Sequence, residues 1–463
     1  MEAPVHEQIH APPMTPYSYP DSSVLYRSLV HPFPVAVRGE GCWIVDRNGK
    51  RYLDAVGGAF VATIGHGVSE VAEAIARQAR TLAYVNGTQF TAEPVEELAA
   101  ELADRCPGDL EFAFFLTSGS DAVEAALKIA RQYWLESGQS SKHKILALAP
   151  GYHGNTALAL SASSRAGARS AFEPWLTAVR PVPAPYPYRC PCGGAGPHCA
   201  ACTGRVLEDT IIAEGPETVA AFIAEPIGGS STGASVPRDT YWSTVRETCT
   251  RLGVLWIVDE ILTGIGRTGT WSAIEQFGVT PDLMVLGKGM TGGYAPLSAV
   301  MTTRRVADAI AGGSGAPIHA QTYINHPLSC ATGLATLRYL DRHDLVRRGA
   351  EMGRALHQRL APLTTNPLVG DVRGRGLLAG IELVHNKESR APFARRAKIA
   401  ERCAAEGLER GITLWPATGS ADGTSGDIIM VAPPLVVTEA ELDDLTLRLD
   451  ETLTAVWRAT SSD

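Results

Sequence analysis

Short apolar segments separated by stretches of helical periodicity run through the middle of this chain, and that alternation restricts the fold more than any other feature. EFAFFL (111–116), KILALA (144–149), TAVRPV (177–182), VAAFIA (219–224), VLWIV (254–258) and LMVLG (283–287) read as strands. Most are apolar at consecutive rather than alternate positions, the pattern of strands covered on both faces. Helical patterns at 120–135 and 236–251 fall between them. A strand returning to a parallel neighbour needs such a crossover, so the order predicts an α/β fold with a mostly parallel sheet covered by helices. Near residue 345 the pattern changes: a helix at 345–360, then LVGDVRGRGLLAGIEL, a further helix, two short strands and a last helix at 439–457. That mixture predicts a smaller α+β domain, joined by CWIVDRNGKRYLDA, a hairpin turning at Asn48-Gly49. The expected division is a flexible arm (1–25), the N-terminal part of the small domain (26–75), a large domain (76–344) and the C-terminal part of the small domain (345–463).

The net charge of -8 argues against the clustered cations that nucleic acid or an anionic membrane requires, so neither is expected as a partner. No apolar run approaches the roughly 18 residues of a membrane span. The start, MEAPVHEQIHAPPMTPYSYP, has no cationic region followed by an apolar one, and a cytoplasmic location is expected. Nine cysteines in 463 residues do not make a disulfide scaffold. Four of them, Cys190, Cys192, Cys199 and Cys202, stand together in YRCPCGGAGPHCAACTG, within an inserted loop at 186–204. A CxC…CxxC set on freely turning backbone can converge on a structural zinc; the plainer alternative is a surface loop of reduced thiols.

The stretch LWIVDEILTGIGRTG contains GIGRTG, the G-x-G-x-x-G pattern of dinucleotide sites. That pattern should open a long helix and be followed by an acid ending the next strand. TWSAIEQFG is too short for the helix, and Asp282 precedes the next strand, so the dinucleotide reading fails. The acids that matter, Asp259 and Glu260, end a very apolar strand, where open α/β sheets bind ligands. Of the seven lysines, Lys288 alone directly follows an apolar strand between glycines, in LGKGMTGGY. Desolvation there depresses an amine pKa and makes it a nucleophile toward carbonyls. In FLTSGSDAVEAALKIAR a strand ends and Ser118-Gly119-Ser120 opens a helix, whose N–H groups and hydroxyls suit a phosphate. A lysine for a Schiff base, an acid for a pyridinium nitrogen and a phosphate cup together describe one cofactor, pyridoxal 5′-phosphate.

At these residues the chain resembles the class III aminotransferases, fold-type I enzymes that use pyridoxal phosphate. The resemblance runs from about residue 26 to 455 through YLDAVGGAFVATIGHG, FLTSGSDAVEAALKIAR, GYHG, AEPIGG, VDEILTGIGRTG, LGKGMTGGYAPLSAV, QTYINHPLSCA, VRGRGLLAGIEL and APPLVVTEAEL. It implies that Lys288 forms the Schiff base and shuttles the substrate proton, while Asp259 holds the ring nitrogen. Ser118, Gly119 and Ser120 would bind phosphate. Tyr152 and Ile261 would cover the two ring faces, with Glu225 beside the ring oxygen. Thr322 would reach the phosphate of a partner subunit, implying a homodimer with shared active sites. Phe60 and Tyr152 would line the substrate pocket, and His153 and His319 are expected as structural neighbours rather than bases. The implied reaction is a two-stage amino transfer from an amine or amino acid donor to an oxo acceptor. The same scaffold also serves aminomutation, racemisation and decarboxylation. A non-catalytic zinc or scaffold protein is the alternative of another class, against which the Lys288–Asp259 pair argues. The chain departs from the family's pattern in three places. Residues 416–427 hold no arginine where many relatives carry one for the acceptor carboxylate, Asp121 stands for the usual glutamate, and GGAF replaces a bulkier pattern at the pocket.

Overall fold

The structure is a computed structural model that describes residues 17–164, 166–190 and 199–461. Three antiparallel strands come first: β1 (Ala36–Glu40), β2 (Trp43–Asp46) and β3 (Arg51–Asp54). β2 and β3 form the expected hairpin. Asp46 Oδ1 accepts the backbone N–H groups of Asn48 and Lys50, each at 2.9 Å, closing a turn that Gly49 completes at φ 81°.

A seven-stranded sheet follows, made of β4 (Leu110–Leu116), β5 (Lys144–Ala149), β6 (Arg180–Pro183), β7 (Val219–Ala224), β8 (Leu255–Asp259), β9 (Leu283–Leu286) and β10 (Ser298–Thr303). Their spatial order is β4-β10-β9-β8-β7-β5-β6. Every neighbouring pair is parallel except those of β10, which runs antiparallel to β4 and β9. All residues of β7, β8 and β9 are buried, which is why they read as unbroken apolar runs. The strand β10 was not expected. Its apolar stretch, Ala299 to Met301, is short and flanked by Ser and Thr, and only the slot between β4 and β9 makes it a strand.

Between β8 and β9 lies only the 3₁₀ turn Ile274–Phe277, as the failed dinucleotide reading requires. The helix expected at 236–251 begins later, at Tyr241, because Pro237 biases the residue before it away from helical backbone. Helices Gly119–Glu136, Leu345–Leu360 and Glu439–Ser461 match the expected segments, the last running four residues further.

Toward the C-terminus come β11 (Val369–Gly374), β12 (Ala379–Leu383), β13 (Ile412–Thr413), β14 (Trp415–Thr418) and β15 (Asp427–Val431). Four of them form an antiparallel sheet in the order β11-β12-β15-β14. β13 instead pairs parallel with β3, so the N-terminal hairpin shares a sheet with the C-terminal region. Asp54, fully buried at that seam, accepts from Thr413 Oγ1 (3.0 Å) and Gly58 N (2.9 Å) and pairs with His66 Nε2 (2.9 Å). It thereby fixes the turn that carries Phe60. Among the described residues no helix is long and apolar enough to cross a membrane.

Candidate active site

β8 and β9 are adjacent and parallel, with Asp259 opposite Val285, so their carboxyl ends lie side by side. This register places Asp259, the last residue of β8, near Lys288, two residues beyond β9. Asp259 is 4% exposed. Its Oδ1 accepts the N–H of Ile261 at 3.1 Å, and its Oδ2 stands 2.7 Å from His153 Nδ1. Burial opposes charge on His153, but the hydrogen bond and charge of Asp259, joined by Glu225, raise the imidazole pKa above the ordinary range. The buried carboxylate thus has an imidazole hydrogen-bonded to it. The motif GYHG alone does not reveal this contact, because it forms only when the loop after β5 folds over the end of β8.

Glu225, directly after β7, joins the same group. Its Oε2 accepts the N–H of Tyr152 at 3.2 Å and its Oε1 that of Gly229 at 3.0 Å. Burial raises its pKa, the charge of Asp259 adding to the effect while His153 and the two N–H groups oppose it. The ends of β7 and β8 and the Tyr152 loop therefore converge on one acidic, imidazole-bearing group.

Lys288 is half-buried and adopts φ 42°, a left-handed conformation uncommon outside glycine and frequent at functional positions. Its Nζ lies 5.5 Å from the ring centroid of Phe60, which also has positive φ, at 65°. Phe60 is buried and packs on Trp415 with ring centroids 5.4 Å apart. The two rings belong to an apolar cluster with Ile227, Leu262, Leu378 and Ile428. Trp415 at this wall was not expected, and nothing in the spacing of LWPATG marks it.

β4 leads into the helix Gly119–Glu136 through Ser118, the N-cap. The Ser118 hydroxyl accepts from Asp121 N (3.3 Å) and donates to Asp121 Oδ2 (3.0 Å), so Asp121 completes the cap. Ser298 Oγ in β10 donates to Ser118 O (2.7 Å), and Ser120 Oγ accepts from Asn155 N (3.0 Å), tying the helix start to β10 and the Tyr152 loop. Ile261 presses on this helix start: a Cβ at Gly119 would fall 2.8 Å from Ile261 Cδ1. Only a residue without a side chain lets Ile261 approach the helix start this closely, next to the N–H groups of the first turn.

Other expected residues stand apart. Thr322 is exposed, and its carbonyl accepts from Tyr84 OH at 3.0 Å. No described contact brings it to Lys288 or Asp259. His319 sits at the surface beside Lys128, 3.4 Å away. Cys190, Cys199 and Cys202 form a separate cluster, and Cys192 lies outside the described residues. GIGRTG is a packing turn. Gly269, at φ 93°, abuts Ala350 of the helix Leu345–Leu360, and buried Arg267 reaches the carbonyls of Leu377 (3.0 Å) and Pro433 (2.5 Å). Asp282 is engaged by Arg246 (3.0 Å) and Arg305 (2.6 Å) and has no ligand role in a dinucleotide site.

A buried strand-end carboxylate, a lysine on the next strand's exit and a serine-capped helix N-terminus along the carboxyl edge of one sheet define an α/β enzyme suited to a phosphate-bearing cofactor. The sequence pattern described as aminotransferase class-III matches residues 26–453. An uncharacterized aminotransferase of Schizosaccharomyces pombe is 37% identical over 439 residues, spanning 94% of this chain and 96% of that protein. The crystal structure of a thermostable (S)-enantioselective omega-transaminase from Thermomicrobium roseum superposes with a TM-score of 0.87 at 38% identity, covering 92% of this chain and 93% of that one. An amine transaminase from an uncultivated Pseudomonas species, in its PLP-bound form, covers 97% and 99% with a TM-score of 0.85 at 35% identity. The chain belongs to the class III aminotransferases, pyridoxal-phosphate-dependent enzymes of fold-type I.

Proposed function

We propose that this aminotransferase moves an amino group from an amine or amino acid to an oxo acceptor in two alternating half-reactions, with Lys288 and Asp259 as its catalytic residues. The observation that carries this reading is their juxtaposition: a lysine in left-handed backbone next to a buried, imidazole-paired carboxylate on the neighbouring strand. Pyridoxal phosphate, when bound, supplies a carbonyl carbon for the amine and an electron-accepting ring. Lys288 Nζ would take the proton from the substrate carbon and deliver it to the carbon that the cofactor supplies. Asp259 would hold a proton on the ring nitrogen, and His153 orients the carboxylate by its hydrogen bond to Oδ2.

The backbone of Gly119 and the hydroxyl of Ser120 are the phosphate ligands in this reading. Ser118 contributes by capping the helix, since its hydroxyl is engaged by Asp121. Ile261 and Tyr152 would confine the ring, and Glu225 would fix the Tyr152 loop and face the ring oxygen. Phe60 and Trp415, in their apolar cluster, would form a substrate wall, with Tyr152 lining the same pocket, which favours donors with an apolar substituent.

A homodimer, with Thr322 completing its partner's phosphate site, is supported by exposed aromatics gathered around that residue. Tyr84 and Tyr323 lie 6.0 Å apart, and Tyr84 and His326 5.9 Å. The division into a large domain (76–344) and a small domain (26–75 with 345–463) is supported by the β3–β13 pairing. The charge balance and cysteine usage favour a cytoplasmic location. Zinc, the second expected metal or cofactor, rests on the separate cysteine cluster. A panel of primary amines, ω-amino acids and α-amino acids, each scored by the shift of the cofactor's visible band and by new oxo product, tests the activity. A band that no donor shifts would refute it.

A further inference from the structure

The loop bearing the cysteines takes no part in the chemistry above, yet its thiols are not scattered. Cys190 ends the 3₁₀ turn Pro187–Arg189, which is clamped to the C-terminal sheet: Tyr186 OH donates to Glu382 Oε2 at 2.5 Å and the Arg189 guanidinium pairs with the same buried carboxylate. Cys199 stands at the N-terminus of the one-turn helix Ala200–Thr203, whose third residue is Cys202. Thr203 N and Oγ1 both bond Cys199 O, at 3.0 and 2.9 Å, and Gly204 at φ 81° ends the turn. This C-x-x-C turn directs both thiols toward Cys190. Cys190 Sγ is 3.3 Å from Cys199 Sγ and 3.3 Å from Cys202 Sγ, and all three sulfurs lie within 4.8 Å of one another. Cys190 and Cys202 are buried and Cys199 half-buried.

We propose that Cys190, Cys199 and Cys202 bind a structural zinc ion. Three thiolates that hold zinc at about 2.3 Å stand roughly 3.8 Å apart, so these sulfurs need open by only about 0.5 Å. A disulfide requires about 2.05 Å, well below the 3.3 Å separations seen here. The donors are all sulfur, which selects zinc over magnesium or calcium. Binding releases the thiol protons to solvent. The ion would tie Cys190 to the Cys199–Cys202 turn and brace the Tyr186–Arg189 clamp on Glu382. Through Glu382 the clamp continues to Arg373, 2.7 Å away, which itself reaches Thr232 O. The site is structural: it lies in a clamp between segments and has no contact with Lys288 or Asp259 among those described. Cys192 lies outside the described residues, and the proposal rests on the other three.

The test uses the holoenzyme purified without chelator. Elemental analysis is expected to find roughly one zinc per chain. Exchange for cobalt(II) is expected to produce the thiolate-to-metal charge-transfer and intense d–d bands of a tetrahedral sulfur site. Cys190→Ser and Cys202→Ser should each lower zinc content at least about tenfold. The cofactor's visible band, read on the same samples, separates loss of zinc from loss of fold and from failure of the transaminase reading. The cobalt spectrum of the parent chain decides the matter even if a variant is insoluble. Zinc below about a tenth of an equivalent in the parent chain after zinc-supplemented growth would overturn the proposal. So would zinc retained by the Cys190→Ser/Cys202→Ser double variant, or an intact mass two daltons low from a disulfide among these cysteines.

Discussion

Glu260, next to Asp259, gives a prediction whose size follows from its surroundings. Its side chain is buried. Oε1 accepts from Ile274 N at 2.8 Å and Oε2 from Thr263 Oγ1 at 2.5 Å. Burial pushes its pKa up to about 7 against an ordinary 4.5, with Glu275 adding to the rise and the hydrogen bonds opposing it. The folded state therefore holds this proton more tightly than the unfolded chain. The stabilisation is fully present below pH 4.5 and is lost as pH rises through about 7. At 1.36 kcal/mol per pH unit, the interval amounts to about 3 kcal/mol. Glu260→Gln keeps an acceptor for Ile274 N and turns an amide N–H toward the Thr263 hydroxyl, which then accepts instead of donating, and it has no proton to lose. The variant should match the parent near pH 4.5 and exceed it by about 3 kcal/mol at pH 8. With about 2.1 cal/mol/K of unfolding entropy per residue over 463 residues, that gap corresponds to a Tm difference of about 3 °C. Thermal unfolding of both proteins from pH 4.5 to 8 measures it. A Tm offset that is constant with pH, or a variant less stable than the parent at pH 8, would refute the reasoning.

Borohydride reduction of the holoenzyme followed by peptide mapping should label Lys288, and Lys288→Ala should lower turnover by a factor of about 10²–10⁴ or more. A full-rate variant would end the assignment. His153→Ala leaves the Asp259 carboxylate buried without its partner, an expected cost of about 3–5 kcal/mol that thermal unfolding at pH 7 should register, together with weaker cofactor retention. Phe60→Ala removes the ring beside Lys288 and should raise kcat/KM for bulky donors relative to small ones, measured on matched amines. Sedimentation of the active enzyme should show a dimer, and an active monomer would exclude shared sites.

Much of this protein was legible before folding because several signals are local. Apolar runs at 219–224, 254–258 and 283–287 mark strands buried on both faces, their shortness and β-branched residues separating them from buried helices. Lys288 stood out among the lysines by following one of those runs, and Ser118-Gly119-Ser120 by opening a helix straight after another. GIGRTG misleads in isolation, and the length of the segment after it was enough to reject it. What a one-dimensional reading could not supply were contacts between distant segments. β10 is a strand because a gap between β4 and β9 needs filling, and its own residues barely ask for it.

The kinds of chemistry available were thus determined by the order of residues: one lysine at a strand exit, one carboxylate at a strand end, one helix start rich in hydroxyls. Tertiary structure decided their partners. It set His153 against Asp259, placed Phe60 and Trp415 from opposite ends of the chain on one wall, and drew three cysteines into a single cluster. The physical reason is range. Strand and helix formation depends on neighbours within a few residues, whereas the charge state of a buried group depends on whatever the fold brings within hydrogen-bonding distance, however far away in sequence.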